Sequence, residues 1–490
     1  MLSASLSKRK YSCFLKLTLL FFLPITQHTP STSISTTVQL GFMLLEVGTV
    51  RFSDSKNTLV RCFMNSCVAA LFYWGFGYAF AFGESLSQDS KRTAGFIGDT
   101  LYFYSGNPDN LQANFAGYAH MFFNFAVASV ASSIAVGAMA ERTSMIAYFV
   151  ITAFLVSFVF PVVSHWVWST PGFLSGWHEF KGESDLYMDV GAVDFGGAGV
   201  VHLVGATAAA WGCWWVGARR GRFNIENKPQ RMANHSINMQ MMGAFLIWIG
   251  WFALNSGAVF SLGSTSTAVI AGRVAFTTTI SAASGAVTSL FYTYFTSGEY
   301  NINDTIAGAM GGLVSISSGC ATIPVWAAVV TGTVSVPVVH LGSWLIAHIC
   351  RIDDVTNAVA VHGWCGIWGC VATGLFSREA EMLEVFKSVE VGAFYGGSNL
   401  LAANIAFVCI TVTWVSGWMC TFFAVMHYAG LLRMSEKEES KLLAGVQLAA
   451  DANAYSTAAE PELVEEEVDI ADLYQSSKGM IGAASIDPRV

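Results

Sequence analysis

The stretch Asp194–Gly205, DFGGAGVVHLVG, opens an apolar run that continues to about Val216. It puts a carboxylate and an imidazole into a segment of about the 20 residues that a membrane-spanning helix needs. Both groups are costly to bury in hydrocarbon, so their presence there calls for a purpose. The arrangement recurs in Asp354–His362, DVTNAVAVH, with the same eight-residue step from acid to histidine, 160 residues further along the chain. Eight helical residues rise roughly 12 Å. Each Asp can therefore cap a helix start, where free N–H groups and the helix dipole favour a carboxylate, while each His lies deep in the bilayer.

Composition agrees with a membrane location. Hydrophobic residues make up 53% of the 490 and charged residues only 12%, against about 25% charged in ordinary soluble domains. The 46 glycines fit close helix–helix approach in a bilayer. Apolar segments of spanning length fall near 34–52, 59–83, 114–139, 144–168, 194–217, 237–260, 267–296, 302–321, 324–347, 355–377 and 399–430. The expected fold is an all-α polytopic membrane protein of eleven transmembrane helices. The two acid–imidazole segments are then the fifth and tenth, corresponding members of an inverted five-plus-five repeat with a site between the halves.

Charge sets the expected orientation. Odd-numbered loops hold ten Lys and Arg residues (Arg51, Lys56, Arg61, Arg142, Arg219, Arg220, Arg222, Lys228, Arg231, Arg351), and even-numbered loops with their margins hold six. The positive-inside rule places the mature N-terminus outside and the C-terminus in the cytosol, in a multi-pass protein of the plasma membrane. Residues 1–33 read as a leader, with Lys8-Arg9-Lys10 before an apolar Leu17–Ile25 and small residues after it: a signal peptide or a retained segment. Residues 34–432 form the membrane domain. From 433 to 490 the chain turns polar and acidic, the composition of a solvated, largely disordered cytosolic tail.

A lone intramembrane histidine can serve simply to bond a neighbouring helix. Two at matched depth in related helices, His202 and His362, favour a polar path for a small solute or a proton. Asp194 and Asp354 read as caps. Trp168 ends the fourth helix and Trp251 lies in the sixth. Each fits an interfacial aromatic belt, or alternatively a cation-π site. No carboxylate cage for a hard metal ion is present in these segments, no CxxC pair suggests zinc, and no cofactor or nucleic-acid partner is expected.

These motifs resemble the Amt/Mep branch of the ammonium transporter and Rhesus family from about Gln39 to Tyr455. The resemblance rests on GFMLLEVGTVR (41–51), GAMAER (137–142), DFGGAGVVH (194–202), GWFALNSG (250–257) and HGWCGIWGC (362–370). It implies transport of ammonium, taken up as the cation and conducted as ammonia with or without the proton, by a homotrimer with one pore in each subunit. Ammonium or ammonia is the implied partner, with methylammonium as its analogue, in a lipid bilayer. His202 and His362 match the family's twin pore histidines, Asp194 its buried acid, Trp168 its outer cation-π residue and Trp251 a pore-side tryptophan. Val127 and Leu254 stand where the family has two outer-gate phenylalanines, and Ala258 where some members have a recruiting serine. The resemblance therefore implies a looser outer seal here. An ammonium receptor with little flux is the alternative, and no nucleophile paired with either histidine suggests an enzyme.

Overall fold

A computed structural model of the chain describes residues 30–83, 95–106, 111–177, 186–258, 267–442 and 444. The leader up to residue 29, the acidic tail beyond 444 and the loop lysines Lys91 and Lys181 lie outside them. The described residues form helices and connecting turns, with only isolated bridges and no β-strand. The chain divides into two compact units, Met1–Ser440 and Lys441–Val490, and the few described residues of the second are helical.

Among the described residues, long helices lie near the expected places: α1 Pro30–Thr49, α2 Phe52–Phe82, α3 Leu111–Ala138, α4 Met145–Trp168, α5 Ala198–Val216, α6 Ile237–Gly257, α7 Thr267–Ser297, α8 Ile302–Ser317, α9 Val325–Ile349, α10 Val359–Phe376 and α11 Asn399–Tyr428. Among the described residues, nine are long and apolar enough to cross a membrane. The remaining two are α1 and the 16-residue α8. A short helix, Glu379–Phe386, lies between α10 and α11.

Local chemistry sets several starts. The Ser144 hydroxyl accepts from Ala147 N at the head of α4, Ser236 from Met239 N at α6, and Asn301 from Asn303 N and Asp304 N at α8. Each cap satisfies N–H groups that the helix itself leaves free. Glycine then sets how near the rods come. A Cβ on Gly243 of α6 would sit 2.5 Å from Leu45 N, and one on Gly41 of α1 would sit 2.6 Å from Ile247 N, so α1 and α6 meet backbone to backbone.

Helices α5 and α10 depart from regular α geometry in the same way. Each begins with a single π turn, Ala198–Leu203 and Val359–Trp364, and each turn contains one of the two histidines. Such turns widen a helix locally and recur at functional sites. At the other end of the domain sequence, order extends past the expected boundary at 433. Arg433 donates to Val216 O and Ala218 O and pairs with Glu439 at 2.7 Å, so the first residues of the tail are held by the end of α5.

Candidate pore and its two cavities

Asp194 shapes the entry to α5. Its Oδ2 accepts from Gly199 N at 2.9 Å and Val200 N at 2.7 Å, and its backbone carbonyl accepts from the Trp168 indole at 2.7 Å. Gly197 makes this turn possible at φ +93, where a Cβ would also meet the Trp168 ring. The carboxylate is buried, and its Oδ1 has no hydrogen-bond partner among the described residues. Asp354 repeats the cap on α10, with Oδ2 accepting from Val359 N at 2.7 Å, and its Oδ1 is likewise without a partner. Burial pushes the Asp354 carboxyl up to about 6, against the lowering effect of these backbone donors.

The two histidines meet at the centre. Their rings stack with centroids 5.2 Å apart at 19°, and both Nδ1 atoms are buried without a hydrogen-bond partner among the described residues. The Trp251 ring lies nearly parallel to His202, with centroids 4.8 Å apart at 11°, and donates its indole N–H to Ser317 Oγ at 2.9 Å. Phe42 closes on His362 at 5.9 Å. The imidazoles are thus fixed by stacking and keep polar atoms free, the arrangement that a passing polar solute can use.

A cavity lies on each side of the pair. His202 lines one of about 40 Å³, with Trp168, Val127, Leu254 and Ala258 in its wall. His362 lines the other, of about 530 Å³, at the end of the bundle that carries the basic loops. The first has room for only a few waters, since one needs roughly 10–15 Å³ of such space. It is narrow although Val127 and Leu254 are not aromatic, because Phe82, Phe123, Trp177 and Phe195 also face it. The looser seal implied by the two substitutions is thus offset by rings from other positions. Neither Asp194 nor Trp251 is among the groups lining this cavity; both stand behind it and position groups that do.

The sequence reading missed Phe123, Asn124 and His120. They precede Val127 by four, three and seven residues on α3, a helical spacing that would have put all of them on one face. His120 sits between Tyr78 Oη and Asn124 Nδ2, each at 3.2 Å.

The basic end is tied by buried ion pairs. Arg219 grips Asp353 through Nε at 2.8 Å and Nη2 at 2.9 Å, while its backbone N–H donates to the same carboxylate at 2.9 Å. Arg219 also lies 3.3 Å from Glu141, which pairs with Arg51 at 2.6 Å. Arg142, fully buried, donates to Gly217 O and to Asp353 O. Burial works against the Asp353 charge, yet the Arg142 and Arg219 guanidiniums and the Arg219 hydrogen bonds hold its carboxyl well below the usual range. Four connections are joined in this way, and several arginines of the positive loop bias prove to be paired rather than free.

A helical bundle of membrane-spanning lengths, with a cavity on each side of two neighbouring imidazoles, fits a membrane transport protein. The particular family follows from comparison: residues 30–452 match the Ammonium Transporter Family, and the chain belongs to it. It is 38% identical to ammonium transporter 1 member 3 of Oryza sativa subsp. japonica, over 81% of this chain and 79% of the relative. Ammonium transporter 1 member 1 of Arabidopsis thaliana is 36% identical over 81% and 78%. Among solved structures, a sensor Amt protein superposes with TM-score 0.73 at 26% identity, covering 86% of this chain and 97% of that one. Candida albicans Mep2 superposes with TM-score 0.71 at 22% identity, covering 84% and 86%, a likeness of fold.

Proposed function

We propose that the protein moves ammonium across the plasma membrane, attracting the cation at the Trp168 cavity and passing ammonia between His202 and His362. The observation that carries this reading is the position of the stacked imidazoles, one lining each cavity. Dehydrating a cation at mid-bilayer is costly, whereas neutral ammonia needs only a few hydrogen-bond partners, which the free Nδ1 atoms offer. Asp194 acts as a positioning group that sets Trp168 and the start of α5, and Trp251 holds the ring of His202. The reading includes eleven spans, a homotrimer, an external N-terminus and a cytosolic basic end. The line of cavities through the imidazoles favours flux over a receptor with little transport.

Reconstituted vesicles test it: labelled methylammonium should enter faster with the protein than without, and ammonium should compete. Saturable binding with no protein-dependent uptake would instead establish the receptor. Orientation has its own check, since a tag after Ser477 should react with antibody only in permeabilised cells, and reaction on intact cells would reverse the topology.

The outer wall makes a quantitative prediction. A cation gains about 0.5–2 kcal/mol from a favourable aromatic face, and Ala258 provides no hydroxyl. Restoring a ring and an oxygen with Val127→Phe and Ala258→Ser should strengthen capture by about 1.4 kcal/mol, roughly tenfold. Uptake by the double variant should saturate at lower ammonium with an equal or smaller maximum, because the cavity is already narrow. Unchanged or higher half-saturation in a normally folded variant would mean that the wall binds its cation through other groups.

A further inference from the structure

The inner cavity contains an imidazole that the pore does not use. His340 of α9 lines it together with Asp304, in the first turn of α8, and the two interact electrostatically. The His340 ring packs against Tyr292 of α7, with centroids 4.7 Å apart. His362, the inner pore histidine, opens into the same space. The remaining titratable groups facing this cavity are Arg222 and Arg231 from the loop after α5, His348 on α9 itself, and Asp354 before α10. Arg231 acts on Asp304 as well, so the carboxylate is shared between a fixed cation and the imidazole.

At about 530 Å³ the cavity has room for many waters, and His340 is only half-buried. His202 and His362, by contrast, are buried in the narrow path. His340 shares this space with the exposed His348 and is the imidazole there that interacts with Asp304 while facing solute that has just left the pore.

We infer that His340 is the proton donor that turns emerging ammonia into ammonium at the inner mouth, with the Asp304 carboxylate of the same cavity as its counter-charge. The inference rests on the transport reading above. In the step, the ammonia lone pair takes the proton of the imidazolium N–H and forms the fourth N–H bond. The electrons of the broken bond stay on the ring nitrogen, so one positive charge passes from histidine to ammonium. Neutral His340 then recovers a proton from hydronium of the inner solution, through the cavity water. The product is a cation that re-enters the imidazole path only by losing its hydration, so the step opposes backflow.

The test is the initial rate of labelled methylammonium uptake into vesicles at fixed external pH and clamped potential, with internal pH varied. Internal pH is stepped from 5 to 8, an interval across which a histidine gives up its proton. Wild-type uptake should fall at least about fivefold over that interval as the donor is lost. His340→Gln should be slow at both values and flat between them. Asp304→Asn keeps the imidazole but loses the carboxylate that favours its charged form, so its response should move to lower internal pH. A wild-type rate independent of internal pH overturns the proposal, as does a His340→Gln variant with the wild-type response. If His340→Gln does not fold, Asp304→Asn decides, and an unmoved midpoint overturns it. Absence of protein-dependent uptake at every pH would instead remove the transport reading itself.

Discussion

Vesicles carrying His202→Leu with His362→Leu should take up labelled methylammonium about a hundredfold more slowly than those carrying the wild type. The stacked rings provide the two Nδ1 atoms that are buried without a hydrogen-bond partner among the described residues. Leucine fills similar space with no polar atom, so ammonia crossing this point would lose its partners. A buried polar group without one costs about 1–3 kcal/mol, and the upper part of that range is two orders of magnitude in rate. Folding should survive, because the exchange puts apolar groups beside Trp251, Phe42 and the surrounding core. The smaller changes His202→Ala and His362→Ala should fold too, but water entering the enlarged space should lower discrimination against potassium. Wild-type flux and selectivity in these variants would end the pore role of both histidines.

Asp353→Ala should cost about 3–5 kcal/mol of stability, the usual penalty for breaking a buried ion pair from one side. Arg219 would remain almost enclosed, with Glu141 at 3.3 Å as its nearest remaining acid and the Asp353 bonds gone. The damage should extend to the pore. Asp353 immediately precedes the cap of α10, while Arg219 follows α5, so their bond ties the two helices that carry His202 and His362. Thermal unfolding of the detergent-solubilised protein should show a markedly lower midpoint. Removing the stranded charge as well, in Asp353→Asn with Arg219→Gln, should recover part of the loss, because two neutral partners avoid the burial of a lone ion. Wild-type stability of the single variant would show that the network is dispensable.

The places of the eleven helices were legible because bilayer thickness imposes a run of about 20 apolar residues, a one-dimensional signal. The histidine pair was legible for a related reason: ionisable groups stand out against an apolar background, and the common acid–imidazole step appears along the chain without knowledge of packing. The resemblance then supplied roles for Trp168, Val127, Leu254 and Ala258. It also gave Asp194 as a buried acid and Trp251 as a pore-side tryptophan, and in the structure Asp194 O accepts from Trp168 while Trp251 lies parallel to His202. Which groups line a cavity depends on several helices converging, and no single segment encodes that.

The class of protein, the placement of its helices and the two imidazoles could be read from the chain alone, because hydropathy and local spacing are properties of contiguous residues. Packing in three dimensions was needed to show how the imidazoles stack, how Phe82, Phe123 and Trp177 narrow the cavity at His202, and how His340 comes to share the cavity at His362 with Asp304. The same holds for Glu141, Arg219 and Asp353, which meet from three separate connections. Their proximity arises from packing across large sequence separations, where residue identity sets what chemistry is available and the folded backbone sets which groups meet.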